Sequence, residues 1–216
     1  MTIDGPAGAG KSTVGKMLAR RLNYMYLDTG AMYRAVALRA KREGIDPKDE
    51  PGLERLCAQM EISFQETGEG QRLICQEEDV TERIRDPEIG WMASVVSMMR
   101  PVREAMGALQ RRMGSRGGVV AEGRDMGTVV FPDARFKFFL VADPRERSLR
   151  RYREMKARGR EMNLEEVESE VRERDAQDSS RELAPLKPAE DAHLIDSSEL
   201  TPEEVVARML AIIQKN

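Results

Sequence analysis

The sequence has little of several residue types, and each shortage removes a class of function. It carries one histidine, His193, so no imidazole-built metal centre is expected. Its two cysteines, Cys57 and Cys75, form no CxxC pair. A chain of 216 residues needs no disulfide to hold a core, so free thiols in a reducing cytosol are expected. No apolar run approaches about 18 residues, so nothing is expected to span a membrane. The first residues, MTIDGPAGAG, lack the basic start and apolar stretch of a secretory leader. Lysine is scarce too: 27 of the 35 basic residues are arginine. They face 38 acidic residues, giving a net charge of −3. That balance counts against a general nucleic-acid binder, whose surface is usually basic.

What the chain does have is 40% hydrophobic residues, enough apolar mass for a core. It also has arginine in excess, which suits a bidentate grip on phosphates and carboxylates. Arginines that merely cover solvated helix faces would give the same composition.

The pattern along the chain begins as β-α-β-α. Thr2-Ile3-Asp4 reads as a strand, Ser12–Leu22 as a helix, Tyr24–Leu27 as a strand ending at Asp28, and about Ala31–Glu43 as a helix closed by Gly44. Such alternation predicts a parallel sheet covered by helices. From about Gly44 to Met113 the pattern changes and reads as an insertion. It contains a helix near Pro51–Met60, a hairpin turning at Thr67-Gly68-Glu69-Gly70, and helices near Pro87–Met99 and Pro101–Met113. The α/β pattern then resumes. Val119-Val120-Ala121 and Phe136–Val141 are apolar runs typical of strands buried on both faces. Helices are expected from Pro144 to about Arg158, from Asn163 to Ser179 and from Pro202 to Ile213, with a short strand at His193-Leu194-Ile195. Thr201 and Glu204 form a capping-box pattern for the last helix.

The segment Gly5 to Ser12, GPAGAGKS, fits G-x-x-x-x-G-K-[S/T] between a strand and a helix. Its glycines let backbone N–H groups approach phosphate oxygens, and the helix start adds a positive dipole end. Gly5, Pro6, Ala7, Gly8, Ala9, Gly10, Lys11, Ser12 and Thr13 are therefore the expected contacts to a nucleoside triphosphate. Lys11 is expected on the β- and γ-phosphates and Ser12 on Mg²⁺. The loop does not identify the reaction, although the absence of an N/T-K-x-D guanine-reading motif weakens a GTPase reading.

A kinase that phosphorylates a phosphate needs fixed positive charge for its acceptor. Four segments offer it: Arg34 near a helix start; Arg100 and Arg103 between two helices; Arg124 and Asp125 at a strand end; and Arg174, Asp178 and Arg181. The last three share a face if the helix runs through them, and the alternative is an exposed ion-pair ladder. Arg147, Arg150, Arg151, Arg153, Arg158 and Arg160 form a further cluster, suited to a mobile lid over a polyphosphate or to a solvated helix.

The stretches ITIDGPAGAGKST, LDTGAMYR, EGRDMGTVVFPDA and RERDAQDSSRELAPLKPA together resemble the bacterial cytidylate kinases, and they spread from Ile3 to Ala189. Two positions depart from the family's habit: Thr29 stands where serine is common and Glu122 where aspartate is common. The resemblance implies an α/β protein with a P-loop NTPase-type parallel five-stranded sheet flanked by helices. It implies core at 1–33, a monophosphate-binding insertion with a small β element at 34–116, core at 117–146, a short arginine-rich lid at 147–163 and core at 164–216. The implied partners are ATP with Mg²⁺ and CMP or dCMP, with no nucleic acid, no membrane, a monomeric state and a cytoplasmic location. Thr29, Tyr33, Arg34, Arg124 and Arg181 are implied at the acceptor phosphate. Ser94, Arg103 and Asp125 are implied at the cytosine edge, and Arg174 and Asp178 at the ribose. Lys11, Arg124, Arg150, Arg151 and Arg181 are implied as the catalytic cations. Rival readings are a kinase of another nucleotide such as UMP, or a small-metabolite kinase of the shikimate kind.

Overall fold

A computed structural model describes residues 1–68, 70–157, 159 and 162–215. Glu69, Arg158, Arg160 and Glu161, which belong to the expected hairpin turn and arginine cluster, lie outside the described residues. The chain divides into two units, Met1–Tyr26 with Gly117–Asn216, and Leu27–Arg116.

The first unit is built on a parallel sheet of five strands in the order β2-β6-β1-β7-β8. These are β1 (Thr2–Asp4), β2 (Met25–Asp28, of which Met25 and Tyr26 belong to this unit), β6 (Val119–Gly123), β7 (Lys137–Val141) and β8 (His193–Asp196). Ile3 lies opposite Glu122 on one side and Phe138 on the other, so β1 is central. Helices α1 (Lys11–Leu22) and α8 (Pro202–Lys215) pack on one another. Val14, Leu18, Val205, Val206 and Met209 join Ile3, Val120, Phe138, Leu140 and Ile195 in one apolar core. The apolar spacing read in the sequence is this face. Thr201 and Glu204 cap α8 reciprocally, as their spacing predicts. Helices α6 (Pro144–Ala157) and α7 (Leu164–Ser180) pack together around Met155, Val167 and Val171. Asn163 and Glu166 form a capping box at the start of α7.

A feature with no sequence signal follows β6. Residues Met126–Val130 form a π-helical turn, a rare geometry often found at functional sites.

The second unit carries α2 (Thr29–Arg42), α3 (Glu50–Ala58), α4 (Pro87–Val96) and α5 (Arg100–Gly114). It also holds an antiparallel sheet of β3 (Ile62–Thr67), β4 (Gly70–Cys75) and β5 (Glu78–Asp79). Helix α2 starts two residues earlier than expected because Asp28 caps it, accepting the Ala31 N–H at 2.9 Å. Helix α5 ends at Gly114, before Gly117-Gly118, which lie in left-handed backbone conformations. Helix α2 packs on α4 and α5, and α3 packs on α5. Cys57 and Cys75 are both free and buried. Among the described residues no helix is long and apolar enough to cross a membrane.

Candidate active site

The donor loop leaves β1 at Gly5 and enters α1 at Lys11. Its path demands glycine twice over. A Cβ on Gly5 would sit 2.2 Å from the Leu140 carbonyl oxygen, and one on Gly8 would sit 2.9 Å from that of Arg147. Both also have positive φ, +146° and +75°. Gly10 begins α1 without a side-chain cap. The first-turn N–H groups, which a helix cannot satisfy internally, are thus left for an anion.

Lys11 is buried and its ammonium donates to the Pro6 carbonyl at 2.7 Å. Burial pushes its pKa down to about 7, and the Arg124 guanidinium adds to the fall. Glu122, Asp178 and Asp4 pull the other way. A triphosphate would supply the missing counter-charge. Ser12 donates to Glu122 Oε1 at 2.7 Å, and Tyr26 donates to the same oxygen at 2.6 Å. The Ser12 hydroxyl and the Glu122 carboxylate are hard oxygen ligands suited to Mg²⁺. No group of three or more metal-binding side chains gathers among the described residues, so most ligands of such an ion would come from phosphates and water.

The α6 arginines divide into distinct roles. Arg147 is not an exposed lid side chain; its side chain is 5% exposed. It donates to the carbonyls of Ala142 and Ala7, both at 3.0 Å, and pairs with Asp175 at 2.7 Å. Arg150 donates to the carbonyls of Ser197 and Ser198, and Ser197 in turn donates to the Ala9 carbonyl of the donor loop. Arg151 pairs with Glu154 at 3.1 Å.

At the end of β6, Arg124 donates from Nε to Asp178 at 2.6 Å. Arg181 pairs with the other oxygen of Asp178. Asp178 is almost fully buried, which overturns the exposed-ladder alternative. Helix α7 stops at Ser180, so Arg181 reaches Asp178 from the residue after the helix. Burial alone would raise the Asp178 pKa, but Arg124 and Arg181 hold it below the ordinary carboxylate value. Burial also works against the Arg124 charge, yet Asp178 keeps its pKa raised. Arg174 lies on the same helix and adds to the field on Asp178. Asp125, buried, follows Arg124 directly.

In the second unit, Thr29 and Tyr33 are buried on α2. Arg34 donates to the Ile84 carbonyl at 2.9 Å, and its guanidinium lies over Gly90 of α4, where a Cβ would be 3.3 Å away. Ser94 is buried on α4. Arg103 donates to the Ser97 carbonyl at 3.2 Å and stacks 6.0 Å from the Tyr33 ring centroid. The structure thus brings Tyr33 to Arg103, and Arg124 and Arg181 to Asp178.

Sequence reasoning placed Arg147 only in the lid-or-solvated cluster and missed its buried ties to Ala7 and Asp175; it also missed Ser197 and the ties of Glu122 to Ser12 and Tyr26. Only for Glu122, beside Arg124 at a strand end, did the sequence carry a usable signal.

A glycine-rich loop running from a central parallel strand into a helix, with a buried lysine followed by an exposed serine at the helix start, defines a P-loop nucleotide-binding protein. A family model described as cytidylate kinase matches residues 1–215. A cytidylate kinase from Geobacter sp. (strain M21) is 54% identical over 209 residues, covering 97% of this chain and 90% of that protein. One from Geobacter sulfurreducens is 51% identical over 215 residues, covering 100% and 92%. The chain belongs to the cytidylate kinase family. Among solved structures, a shikimate kinase from Bacteroides thetaiotaomicron matches with a TM-score of 0.51 at 13% identity, covering 99% of this chain and 97% of that one. An uncharacterized protein from Eubacterium ventriosum matches at 0.55 and 11%, covering 100% and 98%. These two likenesses show the shared α/β fold alone.

Proposed function

We propose that the protein transfers the γ-phosphoryl group of ATP to CMP and dCMP, giving CDP and dCDP with ADP. The observation that carries this reading is the cluster of Arg124, Asp178 and Arg181 beside the buried Asp125. It gathers two guanidiniums on one buried carboxylate at the end of β6, the strand paired with β1, from which the donor loop springs. An acceptor that is itself a phosphate fits such a site.

The acceptor phosphate is largely dianionic near neutral pH, because its second pKa is about 6. One of its oxygens attacks the γ-phosphorus in line, and the bond from that phosphorus to the β-bridging oxygen breaks. ADP leaves with the electron pair, and no general base is needed. Catalysis is then positioning and charge neutralisation. Lys11 serves the β- and γ-oxygens; Arg124 and Arg181 serve the acceptor phosphate. Ser12, with Glu122 behind it, would hold Mg²⁺, which would supply further neutralisation of the triphosphate. Arg150 and Arg151 serve the transferring group only after exchanging their present partners, the Ser197 and Ser198 carbonyls and Glu154, for phosphate oxygens.

Asp125 reads the base. Cytosine presents an amine at its N4 position where uracil presents an acceptor, so a carboxylate discriminates between them. Arg174 and Asp178 are assigned to the ribose. For the second unit, Thr29, Tyr33 and Arg34 are assigned to the phosphate, and Ser94 and Arg103 to the base.

The experiment is an ADP-release assay with ATP and, in turn, CMP, dCMP, UMP, AMP and shikimate. CMP and dCMP are expected to be turned over fastest. Equal or faster turnover of UMP sinks the cytosine assignment, and turnover of shikimate alone sinks the nucleotide one.

A further inference from the structure

Strand β1 sorts its residues by alternation. Ile3 enters the apolar core beneath α1 and α8. Asp4 is buried facing the segment that follows β6. Its two carboxylate oxygens are divided between two consecutive backbone amides. Oδ1 accepts the Met126 N–H at 2.9 Å, and Oδ2 accepts the Gly127 N–H at 2.7 Å. These amides open the π-helical turn, whose preceding residue, Asp125, provides no side-chain cap of its own. Asp4 does the capping from 122 residues away in sequence.

The turn lies very close to the strand. A Cβ on Gly127 would approach Thr2 Oγ1 to 3.0 Å, the Lys137 side chain to 3.3 Å and Asp4 Oδ2 to 3.4 Å. The glycine thereby lets the two amides reach the carboxylate.

Two consequences follow for the chemistry. A carboxylate is a rigid fork, and two charge-assisted bonds to adjacent amides fix the direction of the backbone there. The backbone so fixed carries Arg124 and Asp125 immediately upstream. Asp4 is also the last residue of β1, directly before Gly5 of the donor loop. One side chain therefore sets the acceptor-reading segment against the strand from which the donor loop springs.

We propose that Asp4 is a positioning residue: by holding the Met126 and Gly127 amides it sets Arg124 and Asp125 for the acceptor nucleotide. This rests on the reading of the chain as a CMP kinase.

Two variants test it from opposite sides. Asp4→Asn keeps one carbonyl oxygen for one amide and turns an NH₂ group against the other. Gly127→Ala leaves the carboxylate intact and lifts the turn away from it. Steady-state kinetics with CMP and with UMP are compared with wild type, and ATP binding is measured by calorimetry. In both variants KM for CMP is expected to rise about tenfold, and the ratio of kcat/KM for CMP over UMP to fall by a similar factor. The Kd for ATP is expected to stay within about threefold of wild type. A merely structural role lowers the melting temperature and leaves the CMP/UMP ratio at its wild-type value, and that result overturns the proposal. Should Asp4→Asn fail to fold, Gly127→Ala carries the same comparison. Wild type is assayed first. If it does not phosphorylate CMP, the functional reading falls and takes the proposal with it. If it does and the variants match it, the proposal alone falls.

Discussion

Arg124 and Asp178, 54 residues apart, are joined by a 2.6 Å hydrogen bond from Nε to Oδ2, and the Asp178 side chain is 1% exposed. Arg181 takes the other oxygen. One buried carboxylate thus holds two guanidiniums in place, and neutralising it leaves two like charges close together without the anion between them. Asp178→Asn is expected to destabilise the protein by about 3 kcal/mol, the usual cost of breaking a buried ion pair. An anion can take over the lost role. Sulfate or phosphate is therefore expected to raise the melting temperature of the variant more than that of wild type, as read by thermal unfolding with and without the salt. Equal shifts in the two proteins would contradict the account.

Arg147 stands behind the donor loop. Its guanidinium donates to Ala7 within the loop and to Ala142 at the end of β7, and it pairs with Asp175 of α7. Lysine at this position keeps the charge but loses the fork that reaches several oxygens at once. Arg147→Lys is expected to raise KM for ATP by about tenfold, a loss of about 1.4 kcal/mol. KM for CMP should move less, because the cluster proposed to take the acceptor is that of Arg124, Asp178 and Arg181. Steady-state kinetics with each substrate varied in turn check the split, and a larger effect on CMP would refute it.

The sequence made much of this legible, but unevenly. GPAGAGKS announces its own geometry, because only glycine tolerates the approach of the Leu140 and Arg147 backbones. Strands β1, β6 and β7 are apolar runs, and α8 displays its capping box. The π-helical turn had no local signal, since what caps it is Asp4, more than a hundred residues upstream. The spacing of Arg174, Asp178 and Arg181 fits a buried cluster and an exposed ladder equally well. Burial decides between them, and burial depends on where Arg124 arrives from another strand. Arg147 looked like its neighbours in an arginine-rich helix for the same reason: only the tertiary fold brings Ala7 and Asp175 to it. Strand β5, two residues long, is too short for any periodicity to reveal.

Asp4 gives a pH dependence of definite sign. Burial pushes its pKa up from 3.8 to about 6, with Asp125 adding to the rise. The amides of Gly127 and Met126 and the Lys11 ammonium hold it back. Between those two values the folded protein binds more protons at this site than the unfolded chain does. The contribution of Asp4 to stability is therefore fully present below 3.8 and is lost as pH rises through 6. A shift of this size amounts to about 3 kcal/mol. The stability of wild type relative to Asp4→Asn is expected to fall by about that much from roughly pH 4 to pH 7. Carbon-detected NMR titration gives the direct reading: a carboxyl midpoint near 6 is expected, and an ordinary aspartate midpoint would contradict the burial argument.

Gln110 is a polar side chain in the wrong medium. It is fully buried on α5, one turn after the buried Met106, and neither its amide oxygen nor its amide nitrogen has a hydrogen-bond partner among the described residues. An unsatisfied buried amide costs about 1–3 kcal/mol. Methionine has similar length, similar helix propensity and a flexible thioether that fills irregular space. Gln110→Met is thus expected to leave the helix intact and to stabilise the second unit by about 1 kcal/mol. Trp91, the single tryptophan, lies exposed on α4 of the same unit and reports its unfolding in urea. A shift of the midpoint to higher urea with an unchanged slope is the expected outcome. A shift to lower urea would mean that the amide is hydrogen-bonded in the folded protein after all, and that the polar pair, rather than an isolated amide, is what the variant removes.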